Sequence, residues 1–286
     1  MKPAAFAYAK ARSLDHAIEL LGGASAEARV LAGGQSLIAT LNMRLSSPDL
    51  LVDINAIPGL DGIAVEDGML EIGALVRHAQ AERSELLARH APLIAMALPH
   101  IGHLAIRNRG TVGGSIAFAD PAAELPACLV ALGGEVLLAG PEGRRNVATE
   151  QFFRGLFETA LSPRDVLTAI RVPLAGRDSR FGFAEFSRRH GDYAMVGLAA
   201  QARAEGAGLR EVRLAYFGVG ATPVRARNAE AALAGDPAQI AAAVSALARD
   251  LDPPGDLQAT GAVKRHLAGV LLERVARQLE ASRDPA

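Results

Sequence analysis

Two glycine pairs, each beside hydroxyl side chains and a short apolar run, constrain this 286-residue chain more than any other feature. The first lies in Leu31-Ala32-Gly33-Gly34-Gln35-Ser36-Leu37, after the apolar Val30-Leu31. The second lies in Gly110-Thr111-Val112-Gly113-Gly114-Ser115, ahead of Ile116-Ala117-Phe118. Lacking Cβ, glycine admits positive φ and lets backbone amides converge on a ligand. Converging amides form a nest for an anion, and neighbouring Ser and Thr hydroxyls add donors. Two nests, each read as a loop bordering a strand, suit a diphosphate. Hydrogen bonds to a charged acceptor contribute ~1.5–3 kcal/mol each, so four or five hold a dinucleotide without a lysine. Downstream, Asp120 and Glu124 can accept from sugar or ribityl hydroxyls. The same residues also fit two tight turns and a helix capped by Asp120 ahead of Pro121, and spacing alone leaves both readings open.

Several function classes are excluded. With 50% apolar and 21% charged residues, the chain carries too much apolar surface for a disordered tail. A net charge of -1 lacks the basic excess of a protein that lives on phosphate contacts, so no nucleic acid is expected. Lysine occurs only at Lys2, Lys10 and Lys264, and none follows glycine in a phosphate-loop pattern. Gly218-Val219-Gly220-Ala221-Thr222-Pro223 resembles a dinucleotide fingerprint, but Pro223 stands where the third small residue should open a helix, so it reads as a turn. Gly34-Gln35-Ser36 continues into Leu37-Ile38 and is no nucleophile elbow. His100 and His103 lack neighbouring ligands and read as a helix-end cap or a pocket wall. The single cysteine, Cys128, sits among Ala127, Leu129 and Val130 and reads as a small buried hydrophobe. Met1 to Arg12 lacks the apolar core of a secretory signal, and no run reaches the ~18 apolar residues of a membrane span, so a cytoplasmic chain is expected.

The remaining pattern mixes strands and helices without strict alternation, which predicts an α+β fold. Ser13 caps a first helix ended by Gly22-Gly23. Short strands follow at 29–31 and 50–54, and Asp67-Gly68 turns a hairpin between 62–65 and 69–73. Helices are predicted over 79–89, 93–101 and 127–132, with strands at 135–138 and 166–172. Polar Gly176-Arg177-Asp178-Ser179 reads as a flexible boundary. Beyond it come strands at 182–186, 197–202 and 212–217 and helices at 238–251 and 262–279.

At full length the motifs resemble a known family. Ala32-Gly33-Gly34-Gln35-Ser36-Leu37, and Ile106-Arg107-Asn108-Arg109-Gly110-Thr111-Val112-Gly113-Gly114-Ser115 running into Ala119-Asp120-Pro121-Ala122-Ala123-Glu124-Leu125-Pro126, resemble the FAD-binding medium subunit of molybdenum hydroxylases. This is the xanthine dehydrogenase and carbon monoxide dehydrogenase family. Met1-Lys2-Pro3, Val52-Asp53-Ile54-Asn55, Arg189-His190-Gly191-Asp192-Tyr193-Ala194 and Gly218 to Arg225 extend the resemblance over essentially the whole chain. The Arg-Arg-His-Gly-Asp-Tyr run is nearest to subunits of nicotine-type and caffeine-type dehydrogenases.

The resemblance implies a vanillyl-alcohol-oxidase-like (PCMH-type) FAD-binding fold in two subdomains, 1–56 and 57–175. A C-terminal domain of the carbon monoxide dehydrogenase flavoprotein type, antiparallel sheet plus helices, would span 178–286. It implies FAD contacts at Leu31, Ala32, Gly33, Gly34, Gln35, Ser36 and Leu37, at Ile101 and Gly102, and at Gly110, Thr111, Gly114 and Ser115. Glu124 matches a ribityl-binding acid, with Asp120 beside it. Tyr193 matches an aromatic position at the isoalloxazine ring; a core tyrosine is the alternative. Ser187 and Arg188 stand near where relatives often carry a lysine, so Arg188 is the candidate polar contact to the ring. Gln35 replaces the histidine of carbon monoxide enzymes and points away from that substrate. Implied partners are a small subunit with [2Fe–2S] clusters and a large subunit with molybdopterin, as a dimer of heterotrimers. The large subunit would hydroxylate an N-heterocycle, aldehyde or similar small molecule. This chain would pass electrons to an external acceptor and hold no catalytic or metal-ligating residue. A carbon monoxide dehydrogenase subunit and a stand-alone flavoprotein dehydrogenase are the alternatives.

Overall fold

The computed structural model describes residues 2–24, 27–206, 208–234 and 239–281, and three main sheets organise them. In the first, Leu50–Asp53 pairs in parallel with both Ala7–Lys10 and Ala28–Leu31. Parallel strands need a crossover, and the helix Leu14–Gly23 supplies it. The Ser13 hydroxyl starts that helix by accepting from the His16 amide at 3.2 Å. Ala17 and Leu21 then bury in one cluster with Val52, Ile54 and Leu75.

The second sheet is antiparallel, with Ile63–Glu66, Met69–Gly73, Val166–Pro173, Glu135–Gly140 and Gly143–Ala148 in that order. Its first hairpin turns at Asp67 and Gly68, φ 50° and 75°, the positive pair that a two-residue turn of matching twist demands. The third sheet runs Ser179–Phe186, Val196–Glu205, Gly208–Phe217, Val224–Arg225. Its side chains alternate between two cores. Leu198, Ala200, Leu214 and Tyr216 bury against the helices Arg227–Leu233, Ile240–Asp250 and Gly261–Ala281. Ala199, Ala215 and Phe217 face the other way, into the cluster that holds the helix Glu124–Leu132. That helix is buried at all nine positions, because both sheets cover it. Truncating a buried leucine in such a place costs about 2–5 kcal/mol, so Leu129→Ala would strain the whole assembly.

The structure departs from the sequence reading at several points. The Thr111 to Ser115 segment does not precede a strand; it opens the helix Val112–Phe118. The stretch 79–89 divides into His78–Ala81 and Glu85–His90, the second capped by the Ser84 hydroxyl. The strand Gly143–Ala148 was not anticipated, since Gly-Arg-Arg-Asn-Val-Ala is an exposed edge without alternation. Asp120 does not cap a helix: its carboxylate accepts from the Ala122 amide at 2.9 Å, and the helix starts at Glu124. The 176–179 segment is pinned, not loose, with Asp178 paired to Arg203 at 2.7 Å. Met1 and Ala238 lie outside the described residues.

Candidate functional site

The first glycine segment leaves the strand Ala28–Leu31 and enters the helix Leu37–Asn42. Along it four of the five carbonyls from Ala32 to Ser36 are engaged. Ala32 O accepts from Asn55 Nδ2 at 2.8 Å, Gly33 O from Gln35 Nε2 at 3.1 Å, and Gly34 O from the Ile38 amide at 3.1 Å. Ser36 O accepts from Thr40 N and Oγ1 at 3.1 and 2.9 Å. The amides of Gly33, Gly34, Gln35 and Ser36, by contrast, make no hydrogen bond among the described residues. A run of unspent donors with satisfied acceptors is the chemistry of an anion cradle. Gly34 has φ +73°, which favours glycine. At Gly33 a Cβ would lie 2.3 Å from Arg109 O, so here the two loops touch through bare backbone. A cavity of about 510 Å³ opens beside this contact, lined by Gly33, Gly34, Gln35, Asp53, Asn55 and Arg109 among others.

The second segment is wired the opposite way. Its amides are spent: Val112 N on Val76 O at 2.9 Å, Gly113 N on Ala74 O at 3.0 Å, Gly114 N on Thr111 Oγ1 at 3.1 Å, and Ser115 N on Thr111 O at 3.1 Å. It is therefore a capped helix start, not a second open nest. Gly113 is glycine because a Cβ would sit 2.5 Å from that of Ala74; its φ is not positive. A Cβ at Gly114 would lie 2.7 Å from the Thr111 hydroxyl that caps the helix and would meet little else. Thr111 is 2% exposed. Beneath lies His78, whose amide donates to Gly110 O at 3.0 Å and whose Nε2 stands 3.3 Å from Ser115 Oγ. Burial pushes the imidazole down to about 4, so it is neutral near pH 7.

Glu124 is 7% exposed, and burial, helped by Glu185 and Asp120, pushes its carboxyl up to about 8. It is thus a hydrogen-bond donor near neutrality. Asp120 is raised by burial as well. Tyr193 is 56% exposed, which excludes the core-tyrosine reading. Burial of its hydroxyl and the acids Asp120 and Glu124 raise it, while the neighbouring Ser36 opposes them. Tyr193 therefore lies within electrostatic reach of both the first glycine segment and the acid pair. Its loop rests on Ile101-Gly102: a Cβ on Gly191 would lie 2.7 Å from Gly102 O. Ile101 follows His100, which stands 3.3 Å from the buried Glu185 carboxylate. Arg188 is exposed and has no hydrogen bond or ion pair among the described residues, so the structure does not bring it into the group.

Sequence reasoning missed Arg77, His78 and Arg109 and gave Asn55 no role. Arg77 Nη2 donates to Asn55 Oδ1 at 2.6 Å, and Nη1 donates to Arg109 O. Asn55 Nδ2 also reaches Asp53 Oδ1 at 2.7 Å, and Tyr8 donates to the other Asp53 oxygen. Burial raises Asp53, but Tyr8, Asn55 and Lys10 outweigh it and hold the carboxyl below its ordinary value. The one available signal was Val52-Asp53-Ile54-Asn55. Cys128 is fully buried and its thiol is pushed up by burial. Among the described residues no group of three or more His, Cys, Asp and Glu can hold a metal, and no helix is long and apolar enough to cross a membrane.

Comparison with known proteins gives two family matches. Residues 4–175 match the FAD binding domain in molybdopterin dehydrogenase, and residues 181–279 match the carbon monoxide dehydrogenase flavoprotein C-terminal domain. The chain is 38% identical to the 6-hydroxypseudooxynicotine dehydrogenase complex subunit alpha of Paenarthrobacter nicotinovorans, over 96% of this chain and 94% of that one. It is 37% identical to the caffeine dehydrogenase subunit beta of Pseudomonas sp. strain CBB1, over 83% and 81%. A chain of the carbon monoxide dehydrogenase of Hydrogenophaga pseudoflava superposes with TM-score 0.95 and 35% identity, over 99% of both chains. One of quinoline 2-oxidoreductase from Pseudomonas putida 86 superposes with TM-score 0.93 and 33% identity, over 98% and 99%.

Proposed function

The chain belongs to the family of FAD-binding medium subunits of molybdenum hydroxylases, and from that membership we propose how its residues hold the cofactor and what the assembled complex does. It is an FAD-carrying oxidoreductase subunit whose relatives are parts of multi-subunit dehydrogenases. The observation that carries the site reading is the run of four unspent amides, Gly33 to Ser36, with the carbonyls of Ala32, Gly33, Gly34 and Ser36 engaged elsewhere. That run would take the pyrophosphate, with the Thr111 and Ser115 hydroxyls and the open face of Gly114 closing on it. FAD, when bound, supplies reversible two-electron redox chemistry. The protein's part is to bind and orient. Leu31, Ala32 and Leu37 flank the cradle, Gly110 keeps its second wall thin, Ile101 and Gly102 line the ring end, and Tyr193 covers it. Glu124, protonated near neutrality, would donate to a ribityl or ring acceptor, with Asp120 beside it.

Electrons would arrive from an iron–sulfur small subunit and leave to an external acceptor. The buried, single Cys128 is no set of cluster ligands, so clusters belong to a partner. A molybdopterin-bearing large subunit would hydroxylate the substrate, and the relatives acting on nicotine-derived compounds and caffeine support an N-heterocycle. We also propose subdomains at 1–56 and 57–175, a C-terminal domain at 178–286, cytoplasmic location and a dimer of heterotrimers.

Gly114→Val tests the site. A Cβ there presses on the Thr111 hydroxyl at 2.7 Å and meets little else, so the fold should survive with a weakened helix cap while the purified complex loses its flavin absorbance. Full flavin content in the folded variant would overturn the assignment. Bleaching of the flavin by an organic substrate in the isolated chain would instead favour a self-sufficient dehydrogenase.

A further inference from the structure

We infer that Asn55 and Arg77 are positioning residues for the pyrophosphate, because together they fix the peptide planes on which the two glycine segments meet. The inference rests on the reading of Gly33 to Ser36 as the pyrophosphate cradle. In a trans peptide the C=O and the following N–H point in opposite directions. Asn55 Nδ2 holds Ala32 O at 2.8 Å, so the Gly33 amide faces away from Asn55 and joins the unspent run. Without that tether the Ala32–Gly33 plane is free to rotate and present an oxygen to the anion.

Arg77 works on the other segment. Arg109 O faces Gly33, 2.3 Å from where a Cβ would be. A bare carbonyl dipole in the wall of the cavity beside Gly33 would repel a diphosphate bound there. Arg77 Nη1 donates to this oxygen, while Nη2 donates to Asn55 Oδ1 at 2.6 Å. The guanidinium fork thus neutralises one carbonyl and aligns the amide that holds the other. Asp53 completes the chain, accepting from Asn55 N and Nδ2 at 2.8 and 2.7 Å, so Asn55 has one orientation available. Lysine, a point charge without the fork, can do only half of this.

The test uses the assembled complex, stripped of FAD and titrated back with FAD. Asn55→Ala and Arg77→Ala should each weaken FAD binding at least roughly tenfold. The double variant should be little worse than the weaker single one, since the two act as one chain. Arg77→Lys should fall between wild type and Arg77→Ala; it keeps the charge and serves if the alanine variant does not fold. Phosphorus NMR of bound FAD gives a reading that overall stability does not move. Its two pyrophosphate resonances should be displaced from those of free FAD in the wild type and drift back in the variants. Resonances of wild-type-bound FAD identical to those of free FAD would defeat the cradle reading itself. Displaced wild-type resonances, with folded variants that keep both shifts and affinity, would overturn the roles of Asn55 and Arg77 alone.

Discussion

The two glycine segments are near-copies as strings of letters and opposites as wiring. From Gly33 to Ser36 three of the four carbonyls are tied down and all four amides are left over. From Val112 to Ser115 the amides are consumed by Ala74, Val76 and Thr111, and what remains is hydroxyls and a helix start. The glycines differ in purpose too. Gly34 serves a left-handed backbone and Gly33 a loop-to-loop contact. Gly113 serves helix-on-strand packing, and Gly114 keeps one side open. A glycine pair therefore announces close approach without saying what approaches.

Four measurements would break or sharpen that contrast. Gly33→Ala should act mainly on the cofactor. A Cβ 2.3 Å from Arg109 O forces the segments apart, and losing two charge-assisted bonds implies about 100-fold weaker FAD binding, read by flavin fluorescence titration. A variant that keeps full affinity would show that the contact is incidental. The second concerns acid. His78, held neutral down to about 4, lies only under the second segment. The unfolded chain binds a proton below about pH 6.5 that the folded one refuses, so stability falls as pH drops from 6.5 to 4, by about 3 kcal/mol. His78→Gln should remove this loss. Glu124, protonated when folded up to about pH 8, tilts stability the other way above about 4.5, so variant minus wild type is the quantity to plot from urea melts. A flat difference would mean His78 is solvated.

Gly113→Ala comes next. Overpacking against Ala74 should cost about 1–3 kcal/mol and lower Tm by several degrees, with flavin affinity of the folded fraction less changed. Flavin loss at unchanged Tm would make this segment a cradle like the first. Smallest is Thr111→Val, which deletes the hydroxyl that receives the Gly114 amide and should cost about 1 kcal/mol by calorimetry. Thr111→Ser should restore it; if it does not, the cap is not the cause.

Much of the fold was legible because its signals are local. Ser13 before a helix, Asp67-Gly68 between alternating runs, and the apolar strands near 197–202 and 212–217 each declare themselves within a few residues. The candidate site was half legible. Gly33 to Ser36 stood out by composition, and Asp120, Glu124 and Tyr193 through the resemblance of their flanking motifs. Asn55, Arg77 and His78 were silent, since their roles depend on atoms 23 to 37 positions away in the chain. The helix start at Thr111 was hidden by the glycines after it, which lower helix propensity while serving packing.

The helix Glu124–Leu132 is walled on every side by material from both halves of the polypeptide. The two family matches, 4–175 and 181–279, are consequently not separable goods. Nicking the backbone at 176–180 should yield a noncovalent pair that travels together through a sizing column. Expressing either piece alone should leave a greasy scar and give insoluble material.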